Sequence, residues 1–191
     1  MISLSRRKSV RDAAERAYQR VVEHARQPIF FAKFGVPDTL DGRFELICLH
    51  AFLYLYRLRS EHPQSAAVSQ AFFDLMFADM DRGLREMGIG DLSVGRHVKR
   101  MAQGFYGRIR AYQEGLERDD DAALSAALLR NVFGTVGESA VTIEPMAGYA
   151  RQAARQLAQQ PTPEVLAGYV RFPAPGGGGA SAATPEVAEL R

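Results

Sequence analysis

The stretch LSVGRHVKRMAQGFYGRIRAYQEGL, residues 92–116, decides the fold class. At about 100° per residue, Val94, Val98, Met101, Phe105, Ile109, Tyr112 and Leu116 fall in one narrow stripe. That period belongs to an amphipathic helix with its apolar edge on a core. Arg96, Lys99, Arg100 and Arg110 fall on the opposite side with Gln103, and no acidic residue occurs between Leu92 and Gln113. The outward face is therefore a basic ridge, suited either to water or to docking on phosphates or an acidic protein surface. Gly104 and Gly107 each weaken the predicted helix by roughly 1 kcal/mol relative to alanine, so a neighbouring helix is expected to approach the backbone there.

The segment before it, 64–87, has two apolar faces. Val68, Ala71, Phe72 and Leu75 make one, and Phe73, Phe77, Met80 and Leu84 make the other. Two faces need two partners. Either the helix is central to the domain, or the Phe/Met face is open and holds an apolar segment of a client protein, a task to which methionine is suited. Gly88 is expected to end this helix.

Upstream, a helix is expected over about 39–59, with Asp38, Thr39 and Asp41 as candidate caps. Arg43, His50 and Arg57 repeat every seven residues along it as a polar seam on an apolar rod. Buried charges need partners. Asp79 lies in the apolar arc of the next helix, so an Arg57–Asp79 ion pair is expected; the alternative is that the seam faces water.

The rest of the chain reads the same way. A first helix spans 9–26 and stops before Pro28, and the loop 28–42 folds Phe30, Phe31 and Phe34 back onto the core. Ser93 caps the basic helix. Further helices span 119–134, 142–159 and 162–171. The expected architecture is all-α: one bundle of six or seven helices over 9–172, a flexible basic terminus over 1–8, and a disordered tail from Pro173, PAPGGGGASAATPEVAELR.

Composition excludes several function classes. The single cysteine, Cys48, permits no internal disulfide. The apolar run from Phe44 to Leu58 is too short for a bilayer, which takes about 20 residues, and is interrupted by charge. The reading is a soluble protein. Glycines 90 and 95 have the spacing of a phosphate-binding loop without its lysine or hydroxyl residue, and the four histidines lack metal-ligand spacing. No catalytic residue, cofactor or metal is expected, and nothing points to DNA. The 24 basic and 22 acidic groups leave a net charge of +2. The near balance hides blocks, +5 over 1–60, −4 over 61–91, +4 over 92–118 and −3 beyond. The acidic helix is expected to lie against basic neighbours, with part of the next helix's positive charge left outward.

The segments GVPDTLDGRFELICLHAFLYLYRL (35–58) and FFDLMFADMDRGLREMGIGDLSVGRHVKRMAQGFYGRIRAYQEGL (72–116) resemble the ubiquinol–cytochrome c chaperone family over about 10–170. The run DMDRxLREMGxGDLxVGxxVKRM carries the likeness most specifically. The resemblance implies an all-helical, non-catalytic assembly factor for the cytochrome bc1 complex. Mitochondrial relatives act with a small partner protein, associate with the ribosome near the tunnel exit, and hold newly made cytochrome b. The arginine-heavy composition and short basic start imply a bacterial member, in the cytoplasm or at the inner face of the membrane, where peripheral association is open. Phe73, Phe77, Met80 and Leu84 become the candidate client face, and Arg96, Lys99, Arg100 and Arg110 the candidate docking ridge. A helical bundle binding lipid or quinone in a cavity lined by Phe52, Tyr56, Phe72 and Leu75 is the alternative, as is an RNA-docking module.

Overall fold

The computed structural model describes residues 4–118, 121–135 and 142–176, and every regular element among them is a helix. In chain order these are α1 (Leu4–Ala25), α2 (Pro28–Ala32), α3 (Leu40–Arg59), α4 (Ala66–Glu86), α5 (Asp91–Glu117), α6 (Asp121–Val132), α7 (Glu144–Gln159) and α8 (Thr162–Leu166).

The apolar rod α3 forms the axis of the bundle, and α1, α5, α6 and α7 pack around it. Every residue from Glu45 to Tyr54 is buried, so a continuous apolar sequence finds cover on all sides. The Thr39 hydroxyl starts the helix by accepting the Gly42 N–H at 3.1 Å. The second layer is a hairpin of α4 and α5, with α1 on the far side of α4 and α6 beside α5. Gly88 turns the chain between the two hairpin helices at φ +84°.

Four boundaries differ from expectation, and one of them is the last helix, which ends at Leu166 rather than near 171, with Gly168 at φ +82° just beyond it. The first helix begins at Leu4, so residues 4–8 of the expected flexible terminus are helical. The expected loop over 28–42 opens with the short helix α2, which buries Phe30. Pro173 and Pro175, at the start of the expected tail, are buried; residues 177–191 of that tail lie outside the described residues. Ser93 is not a cap. Gly90 occupies that position, and the Ser93 hydroxyl donates to the Gly90 carbonyl at 2.9 Å.

The glycines of α5 have different roles from those expected. At Gly104 a Cβ would lie 2.7 Å from Arg108 Nη1, so the space is used by that side chain; at Gly107 it would meet nothing within 4 Å. The neighbouring helix comes close at Gly115 instead, where a Cβ would sit 2.6 Å from Leu124 Cα on α6. Gly115→Ala is expected to lower the unfolding free energy by about 1–3 kcal/mol, because backbone must move. Gly107→Ala should raise it by about 0.5–1 kcal/mol. Urea denaturation midpoints check both, and equal effects at the two positions would contradict this placement.

Candidate interaction surface

The two apolar faces of α4 are both met from inside the molecule. Phe72 is fully buried against Tyr18 of α1 and Tyr54 of α3, with ring centroids at 5.9 and 5.0 Å. On the other face Phe73 packs on Phe77 at 4.6 Å, and both meet Phe105 of α5, at 6.2 and 6.0 Å. Phe77 retains 7% exposure. α5 thus packs on the first two residues of the expected client face, burying Phe77 and half-burying Phe73, since the apolar stripe of α5 needs the same cover. Exposure along the face is greatest toward the hairpin turn. Met80 and Leu84 are half-buried, and Met87, just past the end of α4 in the same register, is 52% exposed.

The basic ridge stands as the helical period places it. Arg96, Lys99, Arg100 and Arg110 are all exposed, and among the described residues none of them has a carboxylate partner. Arg100 Nη2 meets only His97 Nδ1, at 3.0 Å. Arg108 is the exception on this helix. Lying on the flank nearer the core, it turns inward and grips buried Glu45 of α3 with two guanidinium nitrogens, Nε at 2.7 Å. Burial pushes the Glu45 carboxyl above its ordinary range, against the opposing pull of Arg108.

The acidic helix lies against the basic helices α1 and α5, as the charge blocks suggested, but among the described residues it takes no cations from either. Its carboxylates find them locally: Asp81 meets Arg85 at 2.6 Å, and Asp79 meets Arg82 at 3.7 Å. Arg85 also reaches Asp91. The pairs within α4 follow the three- and four-residue helix spacing, and they leave Arg96, Lys99, Arg100 and Arg110 of α5 without a carboxylate partner among the described residues.

The Arg57–Asp79 pair does not form. Asp79 lies at the edge of the α1–α4 seam, where it accepts the Tyr18 hydroxyl at 2.8 Å. Arg57 is buried on the side of α3 facing the end of α7. Its Nε donates to the Leu157 carbonyl at 2.9 Å and its Nη2 to the Gln160 carbonyl at 3.2 Å and the Thr162 hydroxyl at 3.0 Å. Nη1 meets Glu61 at 2.7 Å and Ser60 at 3.0 Å. One guanidinium therefore reaches the Gln160 carbonyl past the end of α7, adds a second donor at the Leu157 carbonyl beside the Gln160 N–H, and joins α3 to the start of α8. Arg57 and the Thr162 hydroxyl hold the Glu61 carboxyl below its usual range. Of the seven-residue seam, Arg57 and His50 are buried, whereas Arg43 lies in water beside Asp38 at 2.7 Å.

His50 belongs to a buried chain of hydrogen bonds for which the sequence offers little signal. The Gln27 amide donates to His24 Nδ1 at 2.8 Å, so His24 Nε2–H donates to the Tyr149 hydroxyl at 2.9 Å. The Tyr149 O–H donates to His50 Nε2 at 2.7 Å, and His50 Nδ1–H donates to the Leu46 carbonyl at 2.7 Å. Every nitrogen has one role, and the chain ties α1, α3 and α7 together. Phe30 and Phe172 pack edge-on or tilted against both imidazoles. Burial in this apolar cage is the main cause lowering His24 to about 4 and His50 to about 3, so both are neutral at pH 7.

The positions proposed to line an interior cavity pack chiefly on other rings. Phe52 lies on Tyr56 and Tyr112 at 5.5 and 5.4 Å, and Phe72 on Tyr18 and Tyr54. Cys48 is fully buried, and burial pushes its thiol well up. No helix among the described residues is long and apolar enough to cross a membrane.

These features sit on a chain with clear relatives. A family model described as Ubiquinol-cytochrome C chaperone matches residues 32–172, from the end of α2 to the buried Phe172. The Xenopus laevis protein named ubiquinol-cytochrome-c reductase complex assembly factor 1 is 29% identical over 148 residues, covering 78% of this chain and 74% of that protein. The mouse and human proteins of that name are each 28% identical over 78% of this chain, which spans 50% and 49% of their lengths. A crystal structure described as the Cbp3 homolog from Brucella abortus has a TM-score of 0.79 and 37% identity, covering 87% of this chain and 92% of that one. With the match running through α3, the hairpin, the Arg57 junction and Tyr149, the chain belongs to the ubiquinol-cytochrome C chaperone family.

Proposed function

We propose that this chain serves the assembly of the cytochrome bc1 complex by holding newly made cytochrome b, as a binding protein with no reaction of its own. The observation that carries the reading is the family match over 32–172, joined to relatives named as assembly factors of ubiquinol-cytochrome c reductase. The open end of the α4 face supports it. Met80, Leu84 and Met87 form an apolar edge that grades from half-buried to exposed, and flexible thioethers adapt to segments of irregular shape. A short edge of this kind holds reversibly, because the area it covers offsets association costs only in part. On this reading the client sits beside the hairpin turn, where Met87 is most exposed, rather than on buried Phe77.

A photo-crosslinker at Met87, used in respiring cells during a pulse of labelled synthesis, is expected to capture cytochrome b. The same group at exposed Arg155 on α7 should not. Equal capture at both positions, or none at Met87, would contradict the assignment.

A further inference from the structure

The outer face of α5 carries more than cations. Leu92, Arg96, Lys99, Gln103, Tyr106 and Arg110 follow one another at spacings of four and three, which keeps them within about 40° of a straight line roughly 27 Å long. All six are exposed. Leu92 stands 98% in solvent at the first turn of the helix, and Tyr106 is 59% exposed while its ring rests on Phe73 at 5.5 Å. The three cations of the line have no carboxylate partner among the described residues, and Arg100 flanks them. The nearest acids lie at the ends and are occupied, Asp91 with Arg85, Glu114 with Arg118 and Glu117 with Arg59.

We propose that this face seats the protein on the surface of an anionic phospholipid bilayer, with Arg96, Lys99, Arg100 and Arg110 on the phosphates and Leu92 and Tyr106 entering the headgroup region. The charge is complementary to such a surface over the whole line. Leucine and an amphipathic aromatic among cations are the side chains that an interfacial helix presents to lipid. A nucleic acid would take the cations but gain nothing from a protruding Leu92, and single strands would require a stacking platform that one tyrosine does not make. A straight, shallow line also fits a plane better than a groove. This inference is independent of the client, since vesicles contain none.

The test is flotation of the full-length protein with vesicles of phosphatidylcholine, alone or with part replaced by phosphatidylglycerol. Binding is expected only with phosphatidylglycerol and should weaken as salt is added. The triple variant Arg96→Gln, Lys99→Gln, Arg100→Gln should lose roughly a hundredfold in affinity, at about fivefold per cation. Because the chain has no tryptophan, Leu92→Trp supplies a single reporter whose emission should shift to the blue on the charged vesicles. These positions are exposed, so unchanged circular dichroism and melting are expected for each variant. No flotation with either vesicle, equal flotation with both, or an unshifted emission from the bound reporter would overturn the proposal. Binding to an RNA homopolymer in place of the vesicles would overturn it as well.

Discussion

Arg57→Ala is expected to lower the unfolding free energy by about 2–4 kcal/mol, through the hydrogen bonds that its buried guanidinium makes. The guanidinium donates to the Leu157 and Gln160 carbonyls, to Ser60 and Thr162, and to Glu61. Removing it leaves the Gln160 carbonyl without its side-chain donor and takes one donor each from the Leu157 carbonyl and the Glu61 carboxylate, which keep the Gln160 N–H and the Thr162 hydroxyl. Arg57→Lys should recover only part of the loss, since one ammonium cannot span acceptors arranged around a planar fork. A double-mutant cycle with Asp79→Ala is expected to show no coupling, because Asp79 is held by Tyr18 and Arg82 instead. Chemical denaturation measures all of these. A loss below about 1 kcal/mol for Arg57→Ala would mean that the junction is solvated.

Tyr149→Phe is the second large effect. The hydroxyl is both the acceptor for His24 and the donor to His50, so its removal leaves two buried ring nitrogens unpaired. Each unpaired neutral group costs about 1–2 kcal/mol, giving a destabilisation of about 2–4 kcal/mol with little change in helix content. The same chain makes wild-type stability depend on pH. Both imidazoles titrate lower in the fold than their ordinary 6.5, His24 at about 4 and His50 at about 3. The unfolded chain therefore binds protons below pH 6.5 that the folded chain refuses. The stabilisation is complete above that value and is lost as pH falls toward 4. Between pH 7.5 and 5.5 these two groups remove about 2–3 kcal/mol. Melting curves at the two pH values check it, and a midpoint that does not move would contradict neutral, buried histidines.

These junctions also mark how far the sequence can be read. The stripe from Val94 to Leu116 declares α5, and the same period puts Arg96, Lys99, Arg100 and Arg110 in water. Direction around a helix follows from spacing alone. Depth does not, because it depends on which neighbour arrives. Phe73 and Phe77 point away from the Phe72 face as expected, yet whether α5 or a client covers them is a tertiary matter, and α5 packs on both. Asp79 shares an arc with Phe72 but sits at its edge, where a tyrosine from α1 takes the place expected for Arg57. Arg57 itself serves helix-end carbonyls about a hundred residues away. Carbonyls leave no mark in a side-chain pattern. Likewise His24, His50 and Tyr149 lie on three helices, and no periodicity links residues 125 apart. The glycines are a local example: Gly104, Gly107 and Gly115 look alike in sequence and face a guanidinium, open water and a helix backbone respectively.

The family match carries the proposal that the chain supports a membrane subunit of the bc1 complex before assembly, and the apolar edge at Met80, Leu84 and Met87 is the site proposed for that subunit. The most direct measurement is the amount of assembled bc1 complex, by native electrophoresis and haem b absorbance, in respiring cells whose gene for this chain is deleted. Complex and haem b signal are expected to fall together while cytochrome b is still synthesised, and the wild-type chain to restore both. Undiminished bc1 complex in the deleted cells would contradict it.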